Sequence, residues 1–176
     1  NLGYGETTGP DYDETTASLV WGTTSDKGSA SVILDYFKNT GLESAEMGKL
    51  GTANQAPYGG MDFRSSRGFP GYFYVDGEKT IDPNCPPESA TASGSCLFDY
   101  GPYGFITPPA ERVGAIAQFD YNFDNDITAF LEIAAQHNTS EAGGAPTPLD
   151  EDAGLTVPGS HPNNPFGQDI EIGRYR

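Results

Sequence analysis

The chain has 176 residues, enough for a folded domain, yet only 36% of them are hydrophobic against a usual ~45–50%, and 23 Gly and 14 Pro sit among 20 Tyr plus Phe. Nine Lys plus Arg face 25 Asp plus Glu, a net charge of −16 that argues against nucleic acid as a partner and fits cationic ligands or a divalent-ion-rich surface better. No run of 18 apolar residues offers a membrane helix, a test that barrel strands escape because their signal lies in alternation.

The first expected element is a hairpin over about 13–38. Ala17, Leu19 and Trp21 fall on one parity of the first arm, and Ala30, Val32, Leu34 and Tyr36 on one parity of the second. Between the arms, Thr23 to Gly28 reads as a short turn with positive-φ chemistry at Asp26-Lys27-Gly28. Trp21 is expected at the turn end of its arm, where an interfacial aromatic belt would lie. The stretch 39–111 then shows little periodicity. Within it Cys85 and Cys96 flank ten Pro/Ser/Gly-rich residues; a disulfide there would staple a loop with little core and would imply an oxidising compartment, the competing reading being two free thiols.

The second hairpin, about 112–136, is the most informative segment. Val113, Ala115, Ala117, Phe119 and Tyr121 share one face, and Ile127, Ala129, Leu131, Ile133 and Ala135 continue it after a polar break. The opposite face carries Asp120 and Glu132 and suits a wet interior. Each arm has about the ten residues a tilted strand needs to cross a bilayer. With the Pro/Gly/Asp-rich tail from 137 to 176, the pattern predicts an all-β fold: an antiparallel transmembrane β-barrel fragment of two hairpins, short turns at one end and long extracellular loops (39–111 and 137–176) at the other.

Four segments carry a family resemblance. They are Ala17 to Lys38, the run Asp62-Phe63-Arg64-Ser65-Ser66-Arg67-Gly68-Phe69-Pro70-Gly71, the stretch Glu111 to His137, and Val157-Pro158 followed by Asn163-Asn164-Pro165-Phe166-Gly167. In this order and spacing they resemble an early part of the barrel of TonB-dependent outer-membrane receptors. The resemblance implies a 22-stranded barrel in the bacterial outer membrane with an internal plug. It also implies outer-membrane lipid around the strands and uptake of a scarce nutrient (siderophore-iron, cobalamin or glycan) driven by TonB–ExbB–ExbD. Neither a plug-like domain nor a TonB box is recognisable, and Arg174-Tyr175-Arg176 is unlike the aromatic-terminated last strand of such barrels, so an excerpt of a receptor is expected.

No enzyme is expected. His137 and His161, the only histidines, lie in no metal or nucleophile–base pattern, and neither a metal centre nor a cofactor is assigned. Asp120, Asn122, Asp124 and Asp126 have EF-hand spacing, but Asn125 stands where Gly belongs and Leu131 where Glu does, which favours a plain Asx turn. Asp150-Glu151-Asp152 reads as a solvated charge run. Ligand recognition is assigned to loop residues Arg64, Arg67, Tyr72, Tyr74, Tyr100 and Tyr103, the arginines pairing an anionic chelate or merely locking to loop carboxylates. Two other readings compete: a β-rich fragment that self-associates into an extracellular fibre, and a secreted, disulfide-stapled carbohydrate-binding β-domain whose apolar strand faces would pack on one another.

Overall fold

A computed structural model describes residues 1–176. In chain order the strands are β1 (Leu2–Glu6), β2 (Asp13–Ser25), β3 (Gly28–Asn39), β4 (Leu42–Glu43), β5 (Tyr72–Val75), β6 (Glu78–Ile81), β7 (Phe105–Thr107), β8 (Ala110–Asn122), β9 (Thr128–Ser140), β10 (Leu149–Asp150), β11 (Thr156–Val157) and β12 (Ile170–Tyr175). The only helical pieces are short 3-10 segments such as Ala56–Tyr58 and Gly101–Tyr103. The fold is all-β, and every strand pairing is antiparallel. The chain divides into two units, Asn1–Met47 with Phe105–Gly143, and Gly48–Gly104 with Gly144–Arg176.

The first unit is an open five-stranded sheet in the order β1-β2-β3-β8-β9; it does not close into a barrel. The two long hairpins lie side by side through an unbroken β3–β8 ladder from Gly28↔Tyr121 to Asn39↔Ala110. Strand β1 adds to the outer side of β2, an element sequence periodicity does not disclose because Gly3 and Gly5 leave it with only Leu2 and Tyr4 as apolar markers. The β2–β3 turn is tighter than expected, closing between Ser25 and Gly28. It also works differently: neither Asp26, Lys27 nor Gly28 has a positive φ. Glycine is needed at 28 for another reason, since a Cβ there would collide with the carbonyl oxygen of Asp120 on β8. Gly28→Val should therefore open the β3–β8 ladder at its turn end, seen as lost amide protection at Ser29 and Asn122 with the Leu34 end unaffected.

The β8–β9 turn uses Asx and positive-φ chemistry, with Asp126 at φ 60 and Asn122 Oδ1 accepting from Thr128 Oγ1 at 2.7 Å. Asp124 pairs with Lys27 of the neighbouring turn at 2.9 Å, and Asp120 Oδ2 accepts from the Ser29 amide at 3.0 Å. These side chains are turned to separate partners rather than to one centre.

The second unit revises the expectation of irregular loops. Segments from 39–111 and from the tail build a sheet in the order β10-β12-β5-β6, with β11 also on β12. Strands β5 and β6 are joined by Asp76-Gly77, at φ 54 and 81, the turn geometry that suits the twist of a hairpin. Ala53, Tyr72, Phe73, Cys96 and Ile170, the buried hydrophobic residues, all lie here. Phe73 meets Phe166 edge-on at 5.7 Å and Tyr175 at 6.0 Å, and Phe69 meets Tyr175 at 5.6 Å. Gly173 exists to let the Tyr72 ring lie on β12. Cys85 and Cys96 form the disulfide rather than remaining free thiols, with Cα atoms 5.9 Å apart.

Candidate functional site

Side chains directly opposite on paired strands share a face, so the registers sort the first unit into two surfaces. One carries, row by row, Leu2, Ala17, Tyr36, Val113 and His137; then Leu19, Leu34, Ala115 and Ala135; then Trp21, Val32, Ala117 and Ile133; then Thr23, Ala30, Phe119 and Leu131; and finally Ser25, Gly28, Tyr121 and Ala129. Most of its large residues are open to solvent, with Val32, Tyr36 and Tyr121 partly covered. Leu19 is 58% exposed, Trp21 56%, Leu34 42%, Phe119 49%, Leu131 55% and Ile133 56%. The band runs about 27 Å along the strands at ~3.4 Å per residue, or about 20 Å in height once tilted, against ~25 Å for the apolar belt of an outer-membrane barrel. Charge closes it at both ends: Lys38 and Glu111 pair at 3.7 Å in the next row towards the long loops, and Lys27 pairs with Asp124 across the turns. Trp21 is not at the rim as expected; β2 continues four residues beyond it to Ser25, which puts the indole in the middle row.

The opposite surface is mixed. Gln118 Nε2 donates to Glu132 Oε2 at 2.7 Å, Arg112 lies 5.3 Å over the Phe37 ring, Ser29 and Asp120 share a row with the exposed Phe130, and Val20, Ile33, Ile116 and Ala134 form an apolar row. Gly114 leaves the space that the Asp35 carboxylate occupies.

In the second unit the candidate ligand residues fall into separate places. Arg64 is spent inside its loop: Nε and Nη2 donate to the Asp62 carboxylate at 2.9–3.1 Å, Nη1 to Ser89 Oγ and Nη2 to the Glu88 carbonyl. The guanidinium holds the Asp62 carboxyl below its usual range through that hydrogen bond. A carboxyl depressed by folding stabilises above its unfolded value of ~3.9 and stops doing so as pH falls through the lower folded value. The Arg64 amide, which donates to Asp62 Oδ1 at 3.0 Å, should keep its exchange protection from neutral pH to about 4 and lose it below. Protection that fell already between pH 7 and 5 would contradict this clamp.

Arg67 and Tyr74 converge on one short stretch, Arg67 Nε on Asp150 at 2.9 Å and the Tyr74 hydroxyl on Glu151 Oε2 at 2.8 Å. The Glu151 hydrogen bond pushes the Tyr74 hydroxyl up to about 12. Asp150 also lies 3.4 Å from Arg174 Nε. The first two members of the 150–152 charge run are thus engaged rather than solvated. Tyr72 is buried against Tyr74, 6.0 Å between centroids, with Lys79 Nζ 4.1 Å over its ring. Tyr103 stacks on Phe98 at 5.2 Å, and both Tyr103 and Tyr100 remain half-exposed. Arg67, Tyr72 and Tyr74 form one cluster; Arg64, Tyr100 and Tyr103 stand outside it.

A cleft beside this cluster contains Asp82, Asn84, His161, Asn163 and Tyr175. Sequence reasoning offers no route to it, because its walls come from 69–84 and 157–175 and its carboxylate sits in an ordinary Asp-Pro-Asn turn. No protein-family model, no curated protein and no solved structure matches the chain.

Proposed function

We propose that the five-stranded sheet is a segment of a transmembrane β-barrel, and that the chain serves as part of an outer-membrane receptor of the TonB-dependent kind. The observation that carries this is the uncovered, mainly apolar face: five consecutive rows built on Leu, Val, Ile, Trp, Phe and Tyr, with charge at both ends and a mixed face behind. Soluble monomers rarely leave a contiguous patch of this extent open, and hydrocarbon is the medium that covers it without a protein partner. In this reading β2, β3, β8 and β9 meet outer-membrane lipid, their polar side lines the lumen, and the second unit is extracellular. The disulfide suits that oxidising side of the membrane.

Open edges on β1 and β9 are costly in lipid, so in a receptor further strands close the barrel, and in vesicles the edges of neighbouring copies of the chain pair with one another. A receptor of this kind captures its nutrient at loops and lumen and releases it inward when TonB–ExbB–ExbD acts on a plug. The carbohydrate-binding β-domain reading needs the apolar strand rows packed on one another, and Leu19, Leu34 and Ile133 lie exposed instead. The unpaired β9 edge keeps self-association of the isolated chain as the outcome when no lipid is offered.

Flotation with phosphatidylcholine vesicles tests the reading. The refolded chain should rise with the vesicles and resist extraction by carbonate, with trypsin still cleaving the second unit. A chain that stays at the bottom of the gradient as a soluble monomer would rule the proposal out.

A further inference from the structure

Two hollows of about 540 and 220 Å3 in the second unit share Asp82, Asn163, Asn164, Pro165 and Tyr175 in their walls. Asp82 is 6% exposed, the one buried carboxylate of the protein, and takes part in none of the ion pairs. Its Oδ1 accepts from the Asn84 amide at 2.8 Å and from Asn84 Nδ2 at 3.0 Å. A turn-forming role accounts for that oxygen in full. It leaves Oδ2, which no protein donor meets and which keeps some solvent access, on a residue that lines both hollows. Burying a carboxylate without a counter-charge is costly, so one unpaired in a wall points to a cation that comes and goes.

The rest of the wall says which cation. No group of three His, Cys, Asp or Glu stands close enough to hold a metal ion. Phe69, Phe73, Tyr175, Pro162 and Pro165 give rings and flat apolar edges rather than further oxygen ligands. Asn164 is consumed by its own loop, its Nδ2 donating to the carbonyls of Val157, Pro158 and Gln168. Asn163 differs: its side-chain amide has no partner in the protein, while its backbone N–H donates to His161 Nδ1 at 3.2 Å. Neither Lys nor Arg lines either hollow, so an anionic chelate would meet only repulsion from Asp82 in a chain of net charge −16.

We propose that this cleft binds a primary ammonium group carried on an apolar or aromatic stem. The ammonium donates to Asp82 Oδ2 and to the Asn163 amide oxygen, and the stem lies along Phe69 and Tyr175, whose ring faces favour a nearby cation. A neutral alcohol of the same shape would leave the carboxylate uncompensated. The inference goes beyond the membrane reading and does not rest on it: the cleft belongs to the second unit alone, and its occupation can be read whether or not the sheet enters lipid.

Titration of the whole chain in detergent micelles with three probes of one shape, benzylamine hydrochloride, benzyl alcohol and sodium benzoate, tests it by calorimetry and by chemical shifts of Asn84 and Asn163. Benzylamine should saturate at least about tenfold more tightly than benzyl alcohol, benzoate should not bind, and near-molar salt should weaken benzylamine. Asp82→Asn should remove the preference for the amine. Asn163→Ala, at an exposed position with no side-chain bond to lose, should weaken benzylamine about three- to fivefold without affecting the fold. Equal binding of amine and alcohol, a folded Asp82→Asn chain that still prefers the amine, or no saturable binding of any probe would overturn the proposal. Should Asp82→Asn fail to fold, the amine-to-alcohol ratio of the unsubstituted chain and Asn163→Ala decide it.

Discussion

Leu34→Arg should cost about 2–4 kcal/mol of stability in lipid vesicles, while Ser31→Arg, three residues away on the opposite face, should cost no more than about 1 kcal/mol. Leu34 lies in a row with Leu19, Ala115 and Ala135, inside the apolar band; Ser31 pairs with Gly22 and Gln118 among polar neighbours. An arginine at 34 has no ion partner within its row and must carry its charge through hydrocarbon or distort the bilayer to escape it. In water the same substitution would be nearly silent, because Leu34 is 42% exposed and surface changes of this kind stay within about 0.5 kcal/mol. Urea titrations of the two variants in phosphatidylcholine vesicles, followed by circular dichroism, separate the cases. Equal small costs for both would mean that this face does not meet lipid.

Replacing both Cys85 and Cys96 by serine should destabilise the second unit by about 3 kcal/mol and leave the long sheet intact. A bridge closing a loop of this size removes about that much chain entropy from the unfolded ensemble. The bridge also fixes Cys96, which is buried and whose carbonyl sits where a Cβ at Gly68 would have to go. Through it the 85–96 loop is held to the segment bearing Arg64 and Arg67, with the Ser65–Phe98 backbone bridge alongside. Hydrogen exchange should therefore show protection lost across β5 and β6 and retained in β2, β3, β8 and β9. Uniform loss across both sheets would mean that the two units do not unfold separately.

The parts of this fold that announce themselves in sequence are the ones whose side-chain pattern is long and enforced by a single environment. Val113 to Tyr121 alternates over nine residues because one side must be apolar throughout, and the register follows from that alternation. The second sheet has no such constraint. Strand β5 is Tyr-Phe-Tyr-Val, apolar or aromatic at every position, and only four residues long, so its period cannot be read; the Asp76-Gly77 pair that turns it into β6 was the one local signal available. Strand β12 pairs with β5 from about a hundred residues away, and nothing local in Ile170 to Tyr175 reports that partner. The same distance hides the cleft. Asp82 and Asn84 look like any turn, and it takes 162–165 and Tyr175, distant in sequence, to complete the cleft that Asp82 lines. The sequence leaves open whether Arg64 and Arg67 meet an anionic ligand or a loop carboxylate, because only the fold brings Asp62 and Asp150 into reach of them.

Trp21, the only tryptophan, sits in the middle row of the apolar band and reports on the medium that face meets. Its fluorescence in vesicles whose acyl chains carry bromine near the bilayer centre measures this directly. A blue-shifted emission, strongly quenched by the brominated chains and indifferent to aqueous acrylamide, is the expected result. Emission at the wavelength of a hydrated indole, quenched by acrylamide and untouched by bromine, would contradict a lipid-facing sheet.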